Sequence, residues 1–168
     1  MSPIMRRLRA AIVLAALAVP GSALYAERLV DERGFVTLLP GQEVWNDVPG
    51  YKGIQVMVVE GDPRKPAPYV IRVKFSPGVM SMPHRHPEDR LVTVIKGTWY
   101  TGKGGSFEPW TTEPLPAGSF MKHPAGAEHY DGSREGEVIV QIAGVGPSGT
   151  EFIAPELGHT GDGLKPRP

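Results

Sequence analysis

Beyond residue 26 the chain never sustains a 3.6-residue apolar period over the ~12 residues a helix needs, which excludes helical architectures. Apolar residues instead alternate in short runs: residues 54–59 (IQVMVV), 69–75 (YVIRVKF), 91–95 (LVTVI) and 137–142 (EVIVQI). Shorter candidates lie at 35–39, 119–122 and 151–153. Turn residues punctuate them, as at Pro40-Gly41, Gly61-Asp62-Pro63 and Ser76-Pro77-Gly78, in a chain with 21 glycines and 18 prolines. Short, evenly spaced strands with Gly/Pro turns predict a single all-β domain, a sandwich or a barrel. The 168 residues suffice for a real core, and no internal repeat divides them.

The first 26 residues stand outside that fold. Arg6, Arg7 and Arg9 precede a short apolar stretch at 10–19, and small residues follow. This order reads as a cleaved secretory signal peptide, cut after Ala23 or Ala26, since the apolar stretch is too short to span a bilayer. The expected location is therefore periplasmic or secreted, with no membrane contact after cleavage. Residues 27–157 form the expected domain and 158–168 a flexible tail. Losing three arginines and no acid leaves 15 basic against 18 acidic residues, a net charge of −3. A mildly acidic chain has no general affinity for nucleic acid. Without cysteine there is no disulfide and no thiolate to act as ligand or nucleophile.

Four of the five histidines fall between positions 84 and 129. Within residues 78–97 (GVMSMPHRHPEDRLVTVIKG), His84 and His86 stand two apart beside an alternating run. On a strand, residues i and i+2 point the same way, so both imidazoles aim at one point. That is half of a metal site. A polar rim would use the same residues, but it would not require a second motif downstream.

Such a second motif is present. Gly78, His84, His86 and Gly97, followed by Gly118, Pro124, Gly126 and His129, match in order and spacing the two sequence motifs of the cupin family. The central third of this chain thus resembles a small single-domain cupin. The resemblance implies a jelly-roll β-barrel in which His84, His86 and His129 bind a divalent metal, with Fe, Mn, Zn and Ni all suited to neutral imidazoles. It also implies a homodimer. Two positions depart from the pattern. Ser133 stands where the family has Asn, and Arg90 stands where the family has the Glu that completes the metal site.

A guanidinium is always charged and cannot ligate a cation. Three outcomes follow for Arg90. Glu88 or Asp89 could take the ligand's place with Arg90 turned outward. Alternatively, a three-histidine site, of the kind some cupin thiol and diketone dioxygenases use, could place Arg90 against an anionic substrate. Finally, the metal could be lost, leaving an anion- or sugar-binding pocket. A plain surface ion pair is the simplest alternative, worth about 0–1 kcal/mol. His123 is a candidate extra ligand or second donor, and Tyr130, next to His129, a candidate substrate contact. Trp99, Tyr100, Phe120 and Tyr130 are expected mostly in the core, and His159 on the surface. Two functions follow. One is a metal-dependent enzyme, with a non-haem oxygenase acting on a small anionic or oxygenated substrate foremost. The other is a non-catalytic exported cupin that binds or senses a small ligand, with or without metal. No catalytic residue is assigned at this level.

Overall fold

Alternation decides which face of each strand becomes core. In the computed structural model, which describes residues 29–161, the chain forms fifteen strands. They begin with β1 (Leu29–Val30), β2 (Val36–Thr37), β3 (Asn46–Asp47), β4 (Ile54–Glu60) and β5 (Pro68–Phe75). Next come β6 (Met80–Ser81), β7 (His84–Arg85), β8 (Arg90–Lys96), β9 (Thr98–Lys103) and β10 (Glu113–Pro116). The last are β11 (Phe120–His123), β12 (His129–Gly132), β13 (Val138–Val145), β14 (Glu151–Phe152) and β15 (Thr160–Gly161). The expected signal peptide lies outside the described residues. Among the described residues no helix is long and apolar enough to cross a membrane.

Six strands form one antiparallel sheet in the order β11-β8-β13-β5-β4-β3. A second antiparallel sheet follows the path β10-β9-β12-β6-β15, with β7 joined to β12 and β14. β1 and β2 make a separate hairpin. No pairing among the described residues links the two large sheets, so the jelly roll is an open sandwich where a closed barrel was expected. The chain passes from one sheet to the other at Gly97, whose φ of +77° suits glycine. A Cβ there would overlap the Glu137 carbonyl.

The core follows the strand period. Ile54, Val56 and Val58 of β4, Tyr69, Ile71 and Phe75 of β5, and Val138, Val140 and Ile142 of β13 are all buried. Each such side chain contributes roughly 1.5–3 kcal/mol on leaving water. Trp99 closes this core from β9, while Tyr100 faces outward beneath the Arg134 guanidinium, 4.4 Å from its ring centroid. Phe120 also departs from expectation and is 62% exposed, because on β11 the inward residues are Met121 and His123. The fold also extends past residue 157, since β15 pairs with Met80 and Ser81. Residues 162–168 of the expected tail lie outside the described chain.

Candidate metal centre

The two sheets bring the motifs together through register. His129 opens β12, and its direct cross-strand partner is His84 on β7. Their ring centroids are 4.4 Å apart, with His86 at 4.7 Å from His84 and 5.1 Å from His129. One ligand atom from each of the three lies within 4.8 Å of the others, and all three residues are buried. An ion at ~2.1 Å from each nitrogen fits a group of this size.

Backbone carbonyls fix which nitrogen faces the centre. Nδ1 of His84 lies 2.8 Å from Met82 O, Nδ1 of His86 2.7 Å from Gly149 O, and Nδ1 of His129 2.9 Å from Ala127 O. A carbonyl only accepts, so each Nδ1 carries the proton and each Nε2 keeps its lone pair. The Nε2 of His129 is buried without a partner. Burial, reinforced by the neighbouring imidazole of His129, holds His84 well below the usual histidine range. For His86 burial leads again, followed by the charge of Arg90. His129 is lowered by burial despite the opposing pull of Asp131. The three imidazoles are therefore neutral at physiological pH, as metal binding requires.

The direction of Arg90 follows from strand parity. It shares a face with the buried Val92 and Val94, and its own residue exposure is 9% against 45% for Leu91. The guanidinium donates through Nε to Glu88 Oε1 at 3.0 Å and through an Nη to Ser148 Oγ at 2.6 Å. Among the described residues these bonds use two of its five N–H donors. Tyr69 Oη donates to the same Glu88 oxygen at 2.7 Å. Burial acts to raise the Glu88 pKa, but Arg90 and the hydrogen bonds outweigh it and hold the carboxyl below its usual range.

Glu88 is thus committed to Arg90 and is not part of the histidine cluster. Asp89 points away, accepting from Lys122 Nζ at 2.6 Å and from the Ala125 amide at 2.8 Å. His123, opposite Arg90 in the β8–β11 register, faces inward with its ring centroid 3.7 Å from that of His129. Burial first, then His129, lowers its pKa to about 3. Tyr130, the candidate substrate contact, is not among the residues that line the cavity beside the histidines. Being adjacent to His129 on a strand, it projects to the opposite face, where its hydroxyl donates to Glu108 O at 3.1 Å. Gly102, its cross-strand partner, makes room there, since a Cβ would overlap the Tyr130 ring.

A cavity of about 240 Å³ opens beside the histidines. Its polar lining includes His84, His86, Arg90, His123 and Asp131, and its apolar walls include Ile71, Val140 and Phe152. Phe152 stacks on His159 at 4.5 Å and approaches His84 at 5.6 Å. His159, read from sequence as a surface residue, is half-buried against Phe152 and Tyr51.

The family model described as the ChrR cupin-like domain matches residues 35–145, well over half of the chain. The chain belongs to the cupin family. No curated protein matches this cupin. Solved structures do. KdgF from Halomonas sp. is similar at 23% identity and a TM-score of 0.52, over 64% of this chain and 89% of that one. An RmlC-like cupin from Shewanella frigidimarina matches at 16% identity and a TM-score of 0.52, over 64% and 87%. The DMSP lyase DddQ from Ruegeria pomeroyi matches at 15% identity and a TM-score of 0.55, over 67% of this chain and 61% of that one. At these identities the likeness is one of fold.

In this cupin the structure adds two residues to the site that the sequence reading missed. Asp131 is buried on the inward face of β12, and Ser148 reaches Arg90 from the loop after β13. The first had a signal. His129-x-Asp131 repeats the spacing of His84-x-His86. Ser148 had none, because its partner is 58 residues away.

Proposed function

We propose that this cupin holds one divalent metal ion on His84, His86 and His129 and acts on a small anionic or oxygenated molecule bound in the adjoining cavity. The observation that supports this most is the tautomer lock, three buried imidazoles each presenting an Nε2 lone pair because a backbone carbonyl takes each Nδ1 proton. Iron, manganese, zinc and nickel suit such donors. When bound, the ion supplies Lewis acidity, and iron in addition a redox centre suited to an oxygenase.

The remaining roles fall to the chain itself. Arg90, held in place by Glu88 and Ser148, offers planar N–H donors to a carboxylate or enolate oxygen. The apolar walls around Ile71, Val140 and Phe152 exclude water, which strengthens that pairing. The DMSP lyase of like fold is an enzyme, which accords with this reading without carrying it. Export through the 1–26 segment and assembly as a homodimer belong to the same proposal.

Arg90 also favours a second reading. A cation in the family's carboxylate position suits a non-catalytic protein that binds or senses the same class of ligand. Dioxygen uptake and product formation by the metal-loaded protein, measured across a panel of small carboxylates and diketones, separate the two. Turnover that is lost in His86→Ala supports the enzyme. Ligand-induced thermal stabilisation without turnover under any metal supports the binding protein instead.

A further inference from the structure

Three neutral imidazoles leave a buried dication without a counter-charge. Arg90 and Glu88 do not help, since the pair carries no net charge. Burying an uncompensated ion is costly, so a centre of this kind calls for a carboxylate close by. Asp131 is the carboxyl placed to meet that need: burial holds its pKa above the usual range in the metal-free protein, and a cation beside it favours the charged form. Its Oδ2 lies 3.7 Å from His129 Nε2, and the residue is buried.

A second donor set forms around it. Ligand atoms of His123, His129 and Asp131 lie within 4.8 Å of one another, just as those of the triad do. The Nε2 atoms of His123 and His129 are both buried without a hydrogen-bond partner. Two histidines and one carboxylate are a common set for a divalent transition metal. The two sets share His129, whose Nδ1 proton is committed to Ala127 O, so its single Nε2 lone pair serves one ion at a time.

We propose that His123 and Asp131 form a second seat for the same ion, sharing His129 with the triad and supplying the negative charge that position 90 does not. The inference rests on the metal reading given above. It makes the centre a one-ion site with donors on both sides of His129, and it returns to the site, from β12, the carboxylate that β8 lacks.

The test is zinc and manganese affinity of untagged protein, by competition with a chromogenic chelator. The expected result is one ion per chain, bound more weakly in Asp131→Asn and in His123→Gln, by about twofold where the two seats are equally filled, and not at all in His129→Ala. His84→Ala retains measurable binding through the second seat. Wild-type affinity in both Asp131→Asn and His123→Gln overturns the second seat and leaves the triad standing, whereas a wild-type chain that binds no ion overturns both. A readout on the unaltered protein guards against misfolded variants. On zinc addition the ¹⁵N resonance of His123 Nε2 shifts together with that of His129; an unmoved His123 resonance overturns the proposal.

Discussion

Arg90 Nε donates to Glu88 Oε1 at 3.0 Å at the end of the inward row that continues through Val92 and Val94. Both side chains are about nine-tenths buried, so this pair is not a screened surface contact. Removing one partner strands the other charge in a low-dielectric setting, at a cost of about 3–5 kcal/mol. Arg90→Met is therefore expected to lower the unfolding free energy by about that amount, and adding Glu88→Gln to recover most of it. Urea unfolding of the single and double variants measures the coupling. Strictly additive losses would contradict it.

Acid should destabilise the metal-free protein through its histidines. The folded state keeps His84, His86, His123 and His129 neutral, with His123 lowered to about 3, whereas in the unfolded chain each titrates near 6.5. Below about pH 6.5 the unfolded state binds more protons, so stability falls as pH falls, by about 1.4 kcal/mol per pH unit for each imidazole still neutral in the fold. For His123 that window runs down to about pH 3. Urea midpoints at pH 7.5 and 5.5 measure the effect, and a midpoint that is flat or rises on acidification runs against it. The same protons compete with metal, so affinity should drop over this range.

Tyr130 offers a test of strand parity. Its hydroxyl donates to Glu108 O on the face opposite His129. Tyr130→Phe should cost about 1 kcal/mol of stability, the usual net value of one hydrogen bond, and leave metal and ligand affinity unchanged. A selective loss of ligand affinity would return this residue to the cavity.

Much of the molecule was legible in the chain because strand alternation is a local signal. The runs that became β4, β5, β8 and β13 were visible, and so was the pairing of His84 with His86. Parity also points Arg90 inward with Val92 and Val94, and it points Phe120 and Tyr130 away from their interior neighbours. Phe120 is accordingly exposed, whereas Tyr130 is buried, as expected of a core ring, on the face away from His129. β12 was not visible, because HYDG is short, polar and glycine-ended and looks like a loop until β9 and β7 flank it. Asp131 was overlooked with it. The sheets' failure to close, and the arrival of Ser148 at Arg90, depend on long-range packing that no local pattern encodes.

Three histidines holding one ion are the centre of the function proposed for this cupin. Metal content of protein produced without an affinity tag, measured by mass spectrometry of the elements after dialysis, tests this most directly. About one equivalent of a divalent transition metal in the wild type, lost in His129→Ala while that variant stays folded by circular dichroism, is the predicted result. A wild-type chain that takes up no metal under any loading condition would contradict it.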